Sequence, residues 1–118
     1  MIIHNQKLRE AILATLGDKE MVQIMDFCMH KAASVSEVIK EIDIPHTSAY
    51  RKIKWMLENG ILIIDHFFIS PDGKKTSLFK STLRSISVNY EANEIKINAE
   101  YNINPLSKTV NRFFSLED

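Results

Sequence analysis

Cysteine is almost absent from this chain of 118 residues, which contains one, Cys28. A single cysteine excludes an intramolecular disulfide and agrees with a reducing compartment, so we expect a cytoplasmic protein. No apolar run approaches the roughly 20 residues that cross a bilayer, and residues 1–7 lack the apolar core of a signal peptide. These absences argue against a secreted, disulfide-stabilised or membrane-spanning protein.

Residue patterns typical of catalytic and metal sites are also missing. None of the three glycines lies in a glycine-rich phosphate loop, and no arrangement of Ser, His and Asp suggests a nucleophile. The four histidines are scattered, and no pair has the spacing of a ligand motif. Cys28 lies on an apolar helical stripe, which favours a buried packing residue over a redox-sensing thiol. We therefore predict no enzymatic activity, no metal site and no cofactor.

A net charge is lacking as well, because 15 basic and 15 acidic residues cancel. Their distribution is uneven. Positions 45–84 hold seven basic residues against three acidic ones, a net charge of +4, whereas positions 91–118 hold three against five, a net charge of −2. Binding to nucleic acid requires a local basic surface, whatever the total charge.

Two short helical patterns, separated by a turn at Pro45, form the centre of the sequence. We expect Ser36 to cap the first helix, and Pro45 to force that helix to end before it. The second helix is predicted over 47–58, with its N-cap among residues 46–48 and Gly60 at its end. Its core face is predicted from the apolar positions Ala49, Ile53, Met56 and Leu57.

The opposite side of this second helix combines hydroxyl, basic and aromatic side chains. Arg and Lys can contact phosphates or guanine edges, and small hydroxyl groups near a helix start suit phosphate or base contacts. A solvated helix face is the alternative interpretation. The candidate DNA-binding residues of this segment are His46, Thr47, Ser48, Tyr50, Arg51, Lys54 and Trp55.

A strand, a turn and a second strand follow over residues 61–80. Ile and Phe favour strands, and Pro71, Asp72 and Gly73 are residues that form tight turns. A hairpin directly after the second helix of a helix-turn-helix is a wing. Lys74 and Lys75 place positive charge at its tip, where we expect contact with a phosphate backbone.

Residues 44–53, followed by residues 57–62, resemble ArsR-like winged helix-turn-helix regulators, particularly the archaeal ones. The resemblance extends over about residues 7–80. It implies a dimeric, sequence-specific DNA-binding protein, with DNA contacts at the matching positions Thr47, Ser48, Tyr50, Arg51 and Lys54. Metal-sensing members carry cysteines on the preceding helix, but residues 37–42 contain no cysteine or histidine, so the resemblance does not imply metal sensing here.

The flanking sequence completes an α+β fold. Helices are predicted over 7–16 and after Asp18, so that three helices precede the recognition helix and the β-wing of a domain spanning 1–84. Beyond it, residues 85–103 alternate between apolar and polar, which predicts a second hairpin, and Asn104 with Pro105 begins a short helix. The extension over 85–118 belongs either to the same core or to a dimer interface.

The sequence therefore predicts a transcription regulator that binds double-stranded DNA, with helix 47–58 in the major groove and the wing on the backbone. We expect a homodimer. The alternative is a winged helix that binds another protein and not DNA, favoured by the neutral net charge and by Trp55, which we expect to be exposed. No small-molecule effector is indicated.

Overall fold

Four helices are followed by two antiparallel hairpins in the computed structural model, which describes residues 1–102. The elements are α1 (Gln6–Leu16), α2 (Lys19–His30), α3 (Val35–Ile42), α4 (His46–Glu58), β1 (Leu62–Ile69), β2 (Lys75–Ser81), β3 (Leu83–Glu91) and β4 (Glu94–Tyr101). Strand β1 pairs with β2, and β3 pairs with β4. The predicted α+β class and both hairpins are confirmed, in an order compatible with a helix-turn-helix and a wing. The predicted helix after Asn104 lies outside the described residues.

The start of α3 differs from the prediction. The N-cap is Ser34 and not Ser36. Ser34 accepts a hydrogen bond at 3.2 Å from the backbone N–H of Glu37, whose carboxylate accepts one at 3.2 Å from the backbone N–H of Ser34. This reciprocal capping box satisfies two backbone donors, whereas a cap at Ser36 would lack an acidic partner three residues later.

The turn between α3 and α4 has a backbone conformation that sets the direction of α4. Asp43 ends α3 in the left-handed conformation, with a φ of 59°. Pro45, with a φ of −59°, is the N-cap of α4, so the prediction of a cap at 46–48 was wrong. Proline has no side-chain acceptor, and α4 begins at His46 without a side-chain cap. Gly60, with a φ of 80°, follows the end of α4 as predicted.

A single buried cluster joins the inner faces of the helices to both hairpins. Ile12, Ile24, Val38 and Met56 contribute one residue from each helix, and all four are fully buried. The first hairpin adds Leu62 and Phe79, and the second adds Leu83, Ile97 and Ala99. The second hairpin therefore packs on the chain's own core through one side.

The edges of the two sheets are partly covered by irregular segments. Ala33 exchanges two backbone hydrogen bonds with Phe79 of β2, at 2.9 and 2.8 Å. At β4, the N–H of Ile3 donates to the carbonyl oxygen of Ile97 at 2.9 Å. The N–H of Ala99 donates to the carbonyl oxygen of Met1 at 2.8 Å. The N-terminal residues thus extend the second sheet, a pairing that no sequence pattern predicted.

Candidate nucleic-acid interface

Helix α4 presents one polar face to solvent. Thr47, Arg51 and Lys54 are spaced by four and three residues, which places them on one side of a helix. All three are exposed, as is Tyr50, whose surface is 57% accessible. The opposite side holds the buried Ala49, Ile53 and Met56. Burial of that apolar side fixes the rotation of α4 about its axis and leaves the polar side free.

The predicted contact residues of α4 divide into two groups. His46, Thr47, Tyr50, Arg51 and Lys54 are exposed. Ser48 is half-buried at the margin of the face. Trp55, which we expected to be exposed, is half-buried and packs against the core cluster. Its ring therefore contributes to packing of α4, and this correction removes one argument for the protein-binding alternative.

Lys52 of α4 is paired with carboxylates of another helix and its N-cap, so it does not belong to the exposed polar face. Its Nζ atom donates to Asp18 at 2.8 Å and to Glu20 at 2.7 Å, and its side chain is only 13% exposed. The hydrogen bond from Lys52 lowers the pKa of the Asp18 carboxyl, and the bond to Asp18 in turn raises the pKa of Lys52. This pairing ties the first turn of α2 to the middle of α4.

The first turn of α4 offers backbone donors as well as side chains. Because Pro45 supplies no side-chain acceptor, the N–H groups of His46, Thr47 and Ser48 are not capped by it. Such N–H groups, together with the positive end of the helix dipole, suit an anion such as a phosphate. They lie next to the exposed hydroxyl of Thr47.

The β1–β2 hairpin ends in a turn that holds two lysines at its tip. Asp72 accepts hydrogen bonds from the Ser70 hydroxyl and, at 3.2 Å, from the backbone N–H of Lys74. The bond from Ser70 lowers the pKa of the Asp72 carboxyl, which keeps it ionised and partly offsets the nearby cations. Lys74 and Lys75 are exposed, as predicted.

An apolar surface on this hairpin was missed by sequence reasoning. Ile64, Phe67, Phe68 and Ile69 are all exposed. We interpreted these residues only as strand formers. No local signal could have identified their exposure, since a run of apolar residues without polar alternation is typical of a strand buried on both faces.

Fewer of the basic residues at positions 45–84 are available for binding in the structure than the sequence suggests. Lys52 is paired as described, and Arg84 pairs with Glu100 on the second hairpin. Within residues 1–102, the cations of this region that have no carboxylate partner are Arg51, Lys54, Lys74, Lys75 and Lys80. These five cations belong to α4 and the first hairpin.

Cys28 is fully buried, and desolvation by its apolar surroundings raises its pKa to about 12. The predicted packing role of this thiol is therefore supported, because a reactive cysteine needs exposure and a lowered pKa. Across the described part of the chain, no three His, Cys, Asp or Glu side chains gather as a metal site would need. The absence of a metal remains a prediction.

No protein-family model matches this sequence, and no curated protein matches it significantly. Within residues 1–102, none of the helices combines the length and the apolar character required to cross a membrane.

Proposed function

We propose that this chain is a winged-helix transcription regulator that binds double-stranded DNA and has no enzymatic activity. The observation that carries the proposal is the exposed face of α4, where Thr47, Tyr50, Arg51 and Lys54 lie on a helix that follows α3 after a short turn and precedes a hairpin. The resemblance of residues 44–53 and 57–62 to ArsR-like regulators agrees with it.

In the proposed complex, α4 lies in the major groove. Arg51 and Lys54 contact guanine edges or phosphates, and Thr47 and Tyr50 fix the register of the helix on the duplex. The uncapped N–H groups at the start of α4 bind a phosphate. Lys74 and Lys75 of the hairpin bind the adjacent backbone, so that the hairpin acts as the wing.

The small number of free cations favours a dimer. Each phosphate contact adds to the affinity through counterion release, and five cations per chain permit only a few such contacts. A two-fold dimer doubles them and reads two half-sites about one helical turn apart. Such a regulator acts in the cytoplasm.

The proposal is tested by fluorescence anisotropy on duplex DNA from upstream of the chain's own gene, with a scrambled duplex of equal length as control. We expect preference for the upstream duplex and a linear loss of log affinity with log salt concentration. The slope gives the number of phosphate contacts. Absence of binding to either duplex at low salt would refute direct DNA binding.

A second candidate, a protein-binding winged helix, is favoured by the exposed apolar side chains of the first hairpin, since large apolar patches often mark interaction surfaces. The Lys74→Ala/Lys75→Ala double variant separates the two functions. Loss of DNA affinity supports the regulator, whereas unchanged and feeble binding to DNA supports the protein-binding module.

A further inference from the structure

The tip of the first hairpin combines lysines that have no carboxylate partner with large apolar side chains, which a purely electrostatic wing does not need. Phe68 is 56% exposed and Ile69 is 66% exposed. Phe68 lies opposite Thr76 and Ile69 lies opposite Lys75 in the strand register. Because successive side chains of a strand alternate, these two project from opposite faces of the hairpin.

The two neighbouring phenylalanines differ in their surroundings. The ammonium group of Lys75 lies 3.9 Å from the ring centroid of Phe67, so that ring already has a cation–π partner. Among the described residues, Phe68 has no such contact with a cation. Its ring is therefore the aromatic side chain of the hairpin that is free to bind another molecule.

The length of the hairpin decides where its tip reaches when α4 occupies a groove. Strand β1 has eight residues and spans about 26 Å at about 3.3 Å per residue. The major groove is about 12 Å wide. Only three residues, 59–61, separate α4 from β1, so the hairpin is long enough for its tip to pass one phosphate backbone and reach the adjacent minor groove.

We propose that the hairpin tip enters this minor groove and that Phe68 wedges between two base pairs, bending the duplex. Lys74 and Lys75 bind the phosphates on either side, and Ile69 contacts the groove wall. This inference rests on the proposed function, because it requires α4 to be bound in the neighbouring major groove.

The chemistry of a wedge fits the side chains at the tip. Proteins that bend DNA through the minor groove insert apolar side chains, Phe among them, between base steps, and cations nearby hold the phosphates. The free-energy cost of unstacking is offset by burial of the apolar ring, which in the free protein is in contact with water.

Charge favours DNA over a second copy of the chain at this tip. Each tip carries two lysines, Lys74 and Lys75, against one acidic residue, Asp72, so a two-fold contact between tips would bring two net positive charges close together. Like charges repel, whereas phosphates neutralise them.

A wedge also gives sequence preference without direct base contacts. Pyrimidine–purine steps such as TA and CA are the easiest to kink. The proposal therefore predicts a preferred flexible step at a fixed distance from the bases that α4 reads.

The test measures binding and bending on the same complex. A duplex of roughly 30 base pairs from upstream of the gene is labelled at both ends, so that energy transfer reports its bend while anisotropy reports its binding. We expect the wild-type protein to bend it by at least about 20°. The Phe68→Ala variant should not bend the duplex and should bind it about tenfold more weakly. The Phe68→Leu variant keeps an apolar wedge, so it should retain most of the bend and of the affinity.

Tyr90→Ala is the matched control, because Tyr90 is an aromatic residue, 68% exposed, near the tip of the second hairpin. It should leave bend and affinity unchanged. Binding by the wild-type protein without a bend, or an unaltered bend in Phe68→Ala, would overturn the wedge and leave the proposed function standing.

Two other outcomes identify a different role for the tip. If the wild-type protein binds no duplex at all, the proposed function fails together with the wedge. If Phe68→Ala converts a dimer to a monomer in sedimentation velocity, the tip is a self-association surface and the wedge is overturned. Phe68 is exposed, so its replacement is not expected to unfold the protein, and a thermal melt checks this.

Discussion

Arg51 is the residue on which the DNA-binding proposal makes its sharpest prediction. If its guanidinium reads a base edge, Arg51→Ala will weaken binding to the upstream duplex by about 1–3 kcal/mol and relax specificity at that position. Anisotropy titrations measure both effects. Lys96→Ala, an exposed cation on β4, is the control and should change little. Unchanged affinity in Arg51→Ala would remove Arg51 from the mechanism.

Lys52, another basic residue of α4, stabilises the fold through its ion pairs with Asp18 and Glu20. Because the pKa of Asp18 is lowered, its contribution to stability is complete above the ordinary carboxyl pKa of about 3.9 and is lost as pH falls through the lowered value. Because the pKa of Lys52 is raised, its contribution is complete below about 10.4 and is lost as pH rises through the raised value. The pair therefore stabilises the fold between about pH 4 and pH 10.

Replacement of Lys52 by Met leaves two carboxylates unpaired, so we expect the free energy of unfolding to fall by about 1–2 kcal/mol at pH 7. The difference from the wild type should shrink near pH 3, where Asp18 becomes protonated in the variant. Urea unfolding followed by the fluorescence of Trp55, the only tryptophan, measures both values. Lys19→Met, at an exposed neighbouring lysine, is the control. A pH-independent difference would contradict this account.

Helix α3 provides the prediction at the scale of an element. Ser34 closes the capping box with Glu37, so Ser34→Ala should destabilise the protein by about 1 kcal/mol. Ser36→Ala, two residues later on the exposed side of α3, should be within about 0.5 kcal/mol of the wild type. Equal effects of the two replacements in urea unfolding would show that Ser34 is not the effective cap.

The elements also show how far local sequence determines structure. The N-cap Asp18, the chain reversal at Pro71 and Gly73, and the two hairpins were predicted because each depends on residues close together in the chain. The cap of α3 also depends on nearby residues, because Ser34 is followed three residues later by Glu37, and the prediction of a cap at Ser36 was wrong. The predicted N-cap of α4 was wrong because Pro45 occupies this position without a side-chain hydrogen bond.

At the scale of the whole molecule, the N-terminal residues connect the beginning of the chain to its second sheet. Ile3 is fully buried beside Ile97, whereas Ile2 is exposed. We expect Ile3→Ala to lower the free energy of unfolding by about 2–4 kcal/mol. Ile2→Ala should change it by less than about 0.5 kcal/mol. Similar small effects of both replacements would show that the pairing of the N-terminal residues with β4 does not contribute to the cooperative fold.

The candidate site was predicted only in outline. Helical spacing alone indicated the exposed face with Thr47, Arg51 and Lys54, because the apolar residues of α4 define the opposite side. The half-burial of Trp55 could not be predicted, since it depends on how closely neighbouring elements approach α4. The exposure of Phe68 is of the same kind, because strand-forming residues are buried only where another element covers them.

The sequence by itself determined the α+β class, the succession of four helices and two hairpins within residues 1–102, and the polar face of α4. These properties follow from periodicity, capping and turn chemistry, which act over a few residues. Only the tertiary structure decided which charges are free, where the chain's beginning pairs, and which apolar side chains remain in water. Each of these depends on groups far apart in sequence: Lys52 meets Asp18 across 34 positions, and Arg84 meets Glu100 across the second hairpin. Such long-range pairing is set by packing of the whole chain, and no local pattern encodes it.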